Sequence, residues 1–400
     1  MKDIRLVAPD TYWIGASDRR LAKFENLFPI PRGVSYNAYV ILDEKTVLLD
    51  TVDQAVSRTF FDKLEACLAG RGLDYVVINH MEPDHCAALQ DLVHRWPQVT
   101  LVCNSKTLQM IKQFFTFELE GRTQLIGEGD TLCTGKHTLH FAMAPMVHWP
   151  EAMVSYDSLT KVLFSADAFG TFGALNGNLF ADEMDFPRDW LDDARRYYAN
   201  IVGKYGPQVQ ALLKKAAALD IQVICPLHGP IWRENIGWFI QKYDLWSRYE
   251  PEDQGVVIIY GSMYGDTQEA AGILAGMLAE GNVKNIAMYD VSVTDVSHLI
   301  SEIFRCSHLV LASPTYNMGL YPRMENLLSD MKALAVQNRT VALMENGTWA
   351  PMAAKHMRTA LDTMKNITIL EPSVTIKSAL KDEQEPELQA MADAIISSLN

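Results

Sequence analysis

No two of the six cysteines (Cys67, Cys86, Cys103, Cys133, Cys225 and Cys306) form a C-x-x-C pair. That absence excludes a rubredoxin-type or zinc-ribbon module within this chain. Basic charge is scarce as well. The formal net charge of −14 disfavours a nucleic-acid binder, whose surface is usually basic, and suits a soluble partner carrying a complementary basic patch. No stretch reaches the roughly 18 apolar residues of a membrane helix. The first residues, MKDIRLVAPDTYWIGASD, hold no apolar run of the kind a signal peptide needs. The chain is therefore expected in the cytoplasm, with its thiols reduced and buried or idle. There is no internal repeat and no low-complexity tract. What is present is the composition of an ordinary globular protein, 48% hydrophobic and 21% charged, over 400 residues. That length accommodates two or three domains.

The pattern changes near residue 250. Before it, short strand-like runs (39–42, 47–49, 75–78, 100–103, 140–142, 162–165) alternate with amphipathic helices predicted at 53–70 and 86–95. A longer helical region is expected at 189–219. This reads as mixed α/β rich in hairpins. Residues 249–255 are polar and carry Pro251, and read as a linker. After them the pattern is regular. Strands at 256–260, 286–289, 309–312, 340–344 and 367–370 alternate with helices at 268–280, 295–305, 322–334, 350–364 and 384–399. The run at 256–260 is continuous, apolar and β-branched, as expected of a parallel strand buried on both faces. Five strands interleaved with five helices predict a doubly wound parallel sheet. The domains are accordingly expected at 1–250 and 251–400.

Four segments of the first half repeat one arrangement: a strand, then a metal-ligand residue type, then a turn. Asn79-His80-Met81-Glu82-Pro83-Asp84-His85 places four potential ligands after strand 75–78. His148 stands alone among apolar residues and a proline. Asp167 follows strand 162–164, and His228 follows 221–224. Any one of the last three alone would read as a core residue or a turn. Their joint occurrence points to a dinuclear metal site at strand ends, where loops carry side chains without interrupting the sheet. Cys86 and Cys225 lie beside better ligands and are read as non-ligands.

In the second half, Gly261-Ser262-Met263-Tyr264-Gly265-Asp266-Thr267 joins the first strand to its helix. Glycines allow a tight turn, and backbone N–H groups and hydroxyls then face a phosphate at the helix N-terminus. The pattern is neither G-x-x-x-x-G-K-[ST] nor G-x-G-x-x-G, which excludes a nucleoside-triphosphate loop and disfavours a dinucleotide. Asp266 is expected to point outward or to cap the helix. The ends of the third and fourth strands, Ser313-Pro314-Thr315-Tyr316-Asn317-Met318-Gly319 and Glu345-Asn346-Gly347-Thr348-Trp349, complete the candidate cofactor site.

The pattern H-x-[EH]-x-D-H … H … D … H resembles the metallo-β-lactamase fold, an αββα sandwich with two metals at one edge. Hydrolases of that fold carry histidine where this chain has Glu82. With that change and Tyr197-Tyr198-Ala199-Asn200 downstream, the sequence resembles the flavodiiron proteins (A-type flavoproteins), over nearly its whole length. The S-x-x-G-x-T loop resembles the FMN phosphate loop of flavodoxins. The resemblance implies one iron held by His80, Glu82 and His148, a second by Asp84, His85 and His228, and Asp167 bridging them. An oxygen-rich site completed by imidazoles suits iron. Tyr197 or Tyr198 would line the pocket or serve helix packing. Tyr316 or Trp349 would stack on the flavin ring or shield it. The loop 345–351 departs from the glycine-rich version common in the family.

The activity so implied is reduction of O2 to water, of NO to N2O, or of both, with electrons passed through FMN. The expected donor is an external rubredoxin, or reduced deazaflavin as in methanogen-like relatives. A head-to-tail homodimer, or a dimer of dimers, is expected to bring the FMN of one subunit to the irons of another. Two alternatives are a dizinc hydrolase fused to a flavodoxin-like domain, and an electron carrier with a degenerate metal domain. Glu82 and a redox cofactor speak against the first, and the full ligand set against the second.

Overall fold

The computed structural model describes residues 2–399 and divides them into two compact units. One comprises residues up to Tyr198 with Pro207–Asp244; the other comprises Ala199–Gly206 with the residues from Leu245 onward.

The first unit holds two main sheets. In the seven-stranded sheet the order is Arg5–Ala8, Thr11–Trp13, Tyr39–Leu42, Thr46–Leu49, Tyr75–Val77, Thr100–Cys103 and Thr123–Leu125. The five-stranded sheet runs Thr131–Cys133, Thr138–Met143, Met153–Asp157, Val162–Phe164 and Val223–Cys225. Each sheet is antiparallel at one side and parallel at the other. Leu49 registers with Val77 and Phe164 with Cys225 in parallel pairs. Parallel neighbours end at the same level, so the loops that leave them gather along one rim. That rim is where His80, Asp167 and His228 follow their strands. The strands reaching it (Thr46–Leu49, Val162–Phe164, Val223–Cys225) are buried throughout, as expected of strands packed on both faces. This is the metallo-β-lactamase-like αββα class.

The second unit is a parallel sheet in the order Ile286–Asp290, Asp253–Tyr260, Cys306–Tyr316, Arg339–Asn346 and Ile367–Ile369. Val374–Ile376 pairs alongside Met344–Asn346. The helices Asp266–Glu280 and Glu385–Leu399 cover part of it, burying Leu274, Leu278, Leu388 and Ile395 against Val256, Ile258 and Val310. The strand order turns back on itself at Asp253–Tyr260, which has neighbours on both sides. Ligands of open α/β sheets bind at the C-terminal end of such a reversal. No helix among the described residues is long and apolar enough to cross a membrane.

Several elements depart from the expectation. The region 86–95 is two helices, Pro83–Cys86 and Leu89–Arg95. Pro83 starts the first, because its fixed φ and missing N–H suit a helix start. The region 189–219 is not one helix but Phe186–Asp189, Leu191–Tyr197, a π-turn at Tyr198–Val202, a 3-10 turn and Gly206–Ala216. Gly203, Gly206 and Pro207 interrupt it, and a Cβ at Gly206 would meet the Ser247 carbonyl at 2.4 Å. Residues 253–255 belong to a strand rather than a linker, anchored by an Arg305–Asp253 ion pair of 2.7 Å. The helices Ser105–Phe114 and Ile236–Ser247 were not anticipated. Asn104 signals the first, since its side chain accepts from the N–H groups of Lys106 and Thr107 as an N-cap.

Candidate metal centre and flavin cavity

The predicted ligands converge from four chain segments. His80, Glu82, His148 and Asp167 form one set, and Asp84, His85 and His228 form another. Asp167 lies between them and is 1% exposed. Its Oδ2 is 3.2 Å from His80 Nε2 and 3.1 Å from His148 Nε2. Its Oδ1 is 3.2 Å from His85 Nε2 and 3.7 Å from His228 Nε2. One carboxylate thus offers one oxygen to each set. Glu82 Oε2 completes the first at 2.9 Å from His148 Nε2. Asp84 Oδ2 completes the second at 3.2 Å from His228 Nε2.

The backbone around the bridging aspartate is shaped for this. Ala166 (φ 51°) and Phe169 (φ 67°) flank Asp167 in the left-handed region, a strained choice for side-chain-bearing residues that tends to mark functional turns. His228 is held by the glycine after it. Gly229 has φ 79°, and a Cβ there would lie 2.1 Å from Thr171 Cγ2.

Outer partners aim the imidazoles. His80 Nδ1 lies 2.8 Å from Glu151 Oε1, and His228 Nδ1 donates to the Ser35 carbonyl at 2.7 Å. Each such bond places the proton on Nδ1 and turns the Nε2 lone pair inward. The Nε2 atoms of His85 and His228 are only 3.0 Å apart, so a proton or a cation must lie between them. Among the described residues, neither oxygen of Asp84 or of Asp167 finds a hydrogen-bond donor of sound geometry. Buried orphan carboxylates are costly unless a cation neutralises them.

The electrostatics agree. Burial opposes charge on Asp167, yet His80 and His85 beside it hold its carboxyl well below the usual range. Burial likewise works against charge on His148, but Asp167 and Glu82 lift it to about 9, and His80 rises well above its ordinary value through Asp167 and Glu151. A carboxylate cluster that draws protons onto imidazoles will take up metal ions in their place. Four imidazoles and three carboxylates make an oxygen-rich set completed by imidazole nitrogens, which suits iron. The nearby thiols stay protonated: burial pushes Cys86 to about 12 and Cys225 well above its ordinary value.

The two tyrosines part company. The Tyr197 ring lies 5.5 Å from His228 and its hydroxyl, fully buried, has no hydrogen-bond partner among the described residues. Burial, with Asp167 next, keeps that hydroxyl protonated far above neutrality. The Tyr198 ring packs on Tyr243 at 5.0 Å.

Three residues at this centre were not anticipated. Glu151 orients His80 and also accepts from Met81 N at 2.9 Å. Its place three residues after His148, acidic in an apolar turn, is the signal that could have found it. Asp50, pushed up to about 6 by burial, accepts from Asn79 N and Asn79 Nδ2, each at 2.7 Å, and braces the loop that carries His80. Glu25, in the hairpin turn between Lys23–Phe24 and Phe28–Pro29, is pushed up to about 8 by burial and then by Glu82.

In the second unit a cavity of about 520 Å³ lies at the strand reversal. Of the predicted residues it is lined by Ser262, Met263, Tyr264, Asp266, Thr267, Pro314, Thr315, Tyr316, Asn317, Asn346, Gly347 and Trp349. Met318 and Thr348, within the two predicted loop segments, also line it, as do Ala350 and Ser378, which were not anticipated. Gly265, Ser313, Gly319 and Glu345 do not line it, for separate reasons. Gly265 (φ 105°) is the N-cap of helix Asp266–Glu280, so Asp266 starts that helix rather than capping it. Ser313 donates to the Pro314 carbonyl at 3.1 Å. Gly319 pairs with Tyr316 in a short hairpin. Glu345 accepts from Ala354 N and Thr375 Oγ1, each at 2.9 Å. Large side chains stand open around the cavity: Tyr264 is 93% and Trp349 87% exposed. An apolar rim of this kind marks a binding surface, and the helix start beside Thr267 suits a phosphate. These residues fit FMN.

The class is now defined: a two-domain flavoprotein with a dinuclear metal centre. Residues 34–229 match the ODP family beta lactamase and residues 258–388 the flavodoxin family. A nitric oxide reductase of Moorella thermoacetica is 31% identical, over 92% of this chain and 91% of its own. The anaerobic nitric oxide reductase flavorubredoxin of Aeromonas hydrophila is 30% identical, over 97% of this chain and 77% of its own. The rubredoxin oxygen:oxidoreductase of Desulfovibrio gigas superposes with a TM-score of 0.92 at 29% identity, covering 99% of this chain and 98% of its own. The flavodiiron protein of Giardia intestinalis gives 0.93 at 26% identity, covering 100% and 98%. The chain belongs to the flavodiiron protein family and is an oxidoreductase whose cofactors are FMN and two irons.

Two substitutions separate the cofactors. Asp167→Ala is expected to lose most iron while the flavin stays bound, read by metal analysis and the flavin spectrum; retention of both irons would refute the bridging assignment. Thr267→Val is expected to weaken FMN about tenfold, the ~1.4 kcal/mol of one good hydrogen bond, with iron unchanged. Unaltered FMN affinity by fluorescence titration would discredit the phosphate-loop assignment.

Proposed function

We propose that this chain reduces O2 to water, NO to N2O, or both, at the centre made by His80, Glu82, Asp84, His85, His148, Asp167 and His228. The observation that carries the reading is the Asp167 carboxylate, which turns one oxygen to each ligand set. Two ferrous ions and a reduced FMN, when bound, supply the four electrons that convert O2 to two waters, or the two that convert two NO to N2O.

The chain's own groups do the rest. Glu151 and Ser35 fix the imidazole orientations, so the ligands need not reorganise as charge changes. Tyr197, protonated and without another partner, donates a hydrogen bond to an oxygen of the substrate. Phe24 and Phe172 beside it help exclude water. Tyr316 and Trp349 flank the flavin ring. The donor is a rubredoxin-type protein or a reduced deazaflavin, a redox partner matched to a chain that holds FMN. The exposed aromatic rim of the flavin cavity supports a head-to-tail homodimer that covers it. The cytoplasm fits six cysteines that are all unpaired.

A hydrolase is the second reading. Glu82 weakens it, because a carboxylate at that position lowers the positive charge a zinc-bound hydroxide requires. Parallel anaerobic assays of the reduced, metal-loaded protein with O2 and with NO test the proposal, driven by reduced rubredoxin. O2 loss giving water without peroxide marks an oxidase, and NO loss giving N2O marks an NO reductase. Turnover of neither overturns the proposal.

A further inference from the structure

A second cavity in the first unit, about 350 Å³, shares no residue with the metal centre or the flavin site. Strands at the start of the chain, the helix Ser57–Leu68 and the loop at 175–179 enclose it. Its floor is Lys63, 5% exposed. The ammonium donates to the Gly15 carbonyl at 2.6 Å and lies 4.1 Å from the Trp13 ring centroid. Among the described residues its one carboxylate neighbour is Asp3, at 3.8 Å, whose side chain is 66% exposed. A buried lysine is normally matched by a close carboxylate; here burial instead lowers the ammonium to about 8.

Two more cations line the walls. Arg5 Nη1 donates to the Gly177 carbonyl at 3.1 Å, and its Nη2 stands 3.6 Å from Glu183. Arg19 donates to the Leu175 carbonyl. A guanidinium has five N–H donors, so both retain donors after these bonds. Ser17, Thr59 and Asn178 add neutral polar groups. Among the lining residues three cations face one acid, Asp3, in a chain whose net charge is −14.

A cation-lined hollow in an acidic protein, with an incompletely matched lysine at its base, is built for an anion. We propose that the cavity lined by Lys63, Arg5 and Arg19 binds a small phosphate-type dianion, free or as the ester of a short carbon chain. Arg5 and Arg19 grip its oxygens at the mouth and Lys63 neutralises it from below. The volume is at the small end of ligand pockets, which suits a phosphate with a few carbons. This site does not depend on the oxygen or nitric oxide reading.

The test is calorimetric titration of the full chain, loaded with FMN and iron so that the flavin phosphate site is filled. One arm uses inorganic phosphate and the other glycerol phosphate. One saturable site per chain is expected, with affinity falling about tenfold or more in Arg19→Gln and in Lys63→Met. Tighter binding of the ester identifies an organic phosphate as the ligand, and equal binding identifies free phosphate. Arg19 is exposed, so Arg19→Gln serves even if Lys63→Met fails to fold. The proposal is overturned by the absence of saturable binding in both arms, or by binding that Arg19→Gln leaves unchanged.

Discussion

Everything at the metal centre depends on one buried carboxylate. Asp167 is almost wholly removed from water and its oxygens lie within 3.7 Å of four imidazole nitrogens. A carboxylate there is affordable only if cationic charge is close. The protein meets that condition with four histidines around it, and on the proposed assignment meets it again with metal ions. The rim formed by two half-parallel sheets exists to hold this arrangement. Strand ends place His80, Asp167 and His228, a proline-started helix adds Asp84 and His85, and a glycine with positive φ fixes the chain after His228.

The two units solve different problems with similar means. In the first, loops at the ends of parallel strands aim side chains at one another across a dry space. In the second, loops at the same kind of strand end leave a cavity open to solvent, rimmed by aromatics. A dry site strengthens every electrostatic interaction within it, which suits charged metals. An open rim suits a flat cofactor. The family reading joins these as one electron path.

Much of this was legible in the sequence. All seven metal-binding candidates lie in the two clusters, because each follows a strand whose apolar run is plain, and His, Asp and Glu are few enough to be counted. The five parallel strands and their helices were equally plain: the central strand Asp253–Tyr260, buried over Gly255–Ile259, carries a continuous β-branched run, and helical stretches follow at regular spacing. What was not legible depended on neighbours distant in sequence. Glu151 stands out as an acid in an apolar turn, but its sequence neighbours do not name His80, 71 residues away, as its partner. Glu345 sits at a strand end like a cofactor contact, but a helix start and Thr375 claim it. Ser378 reaches the flavin cavity only because Val374–Ile376 pairs beside the fourth strand. The region 189–219 kept a helical pattern through glycines and a proline that the folded chain uses as breaks.

The measurement that bears most directly on this account is metal and flavin stoichiometry combined with Mössbauer spectroscopy of the iron-57-loaded protein. The account predicts two irons and one FMN per chain, with the ferric pair magnetically coupled through the Asp167 bridge. Zinc in the site, a single iron, or two irons that show no coupling would contradict it.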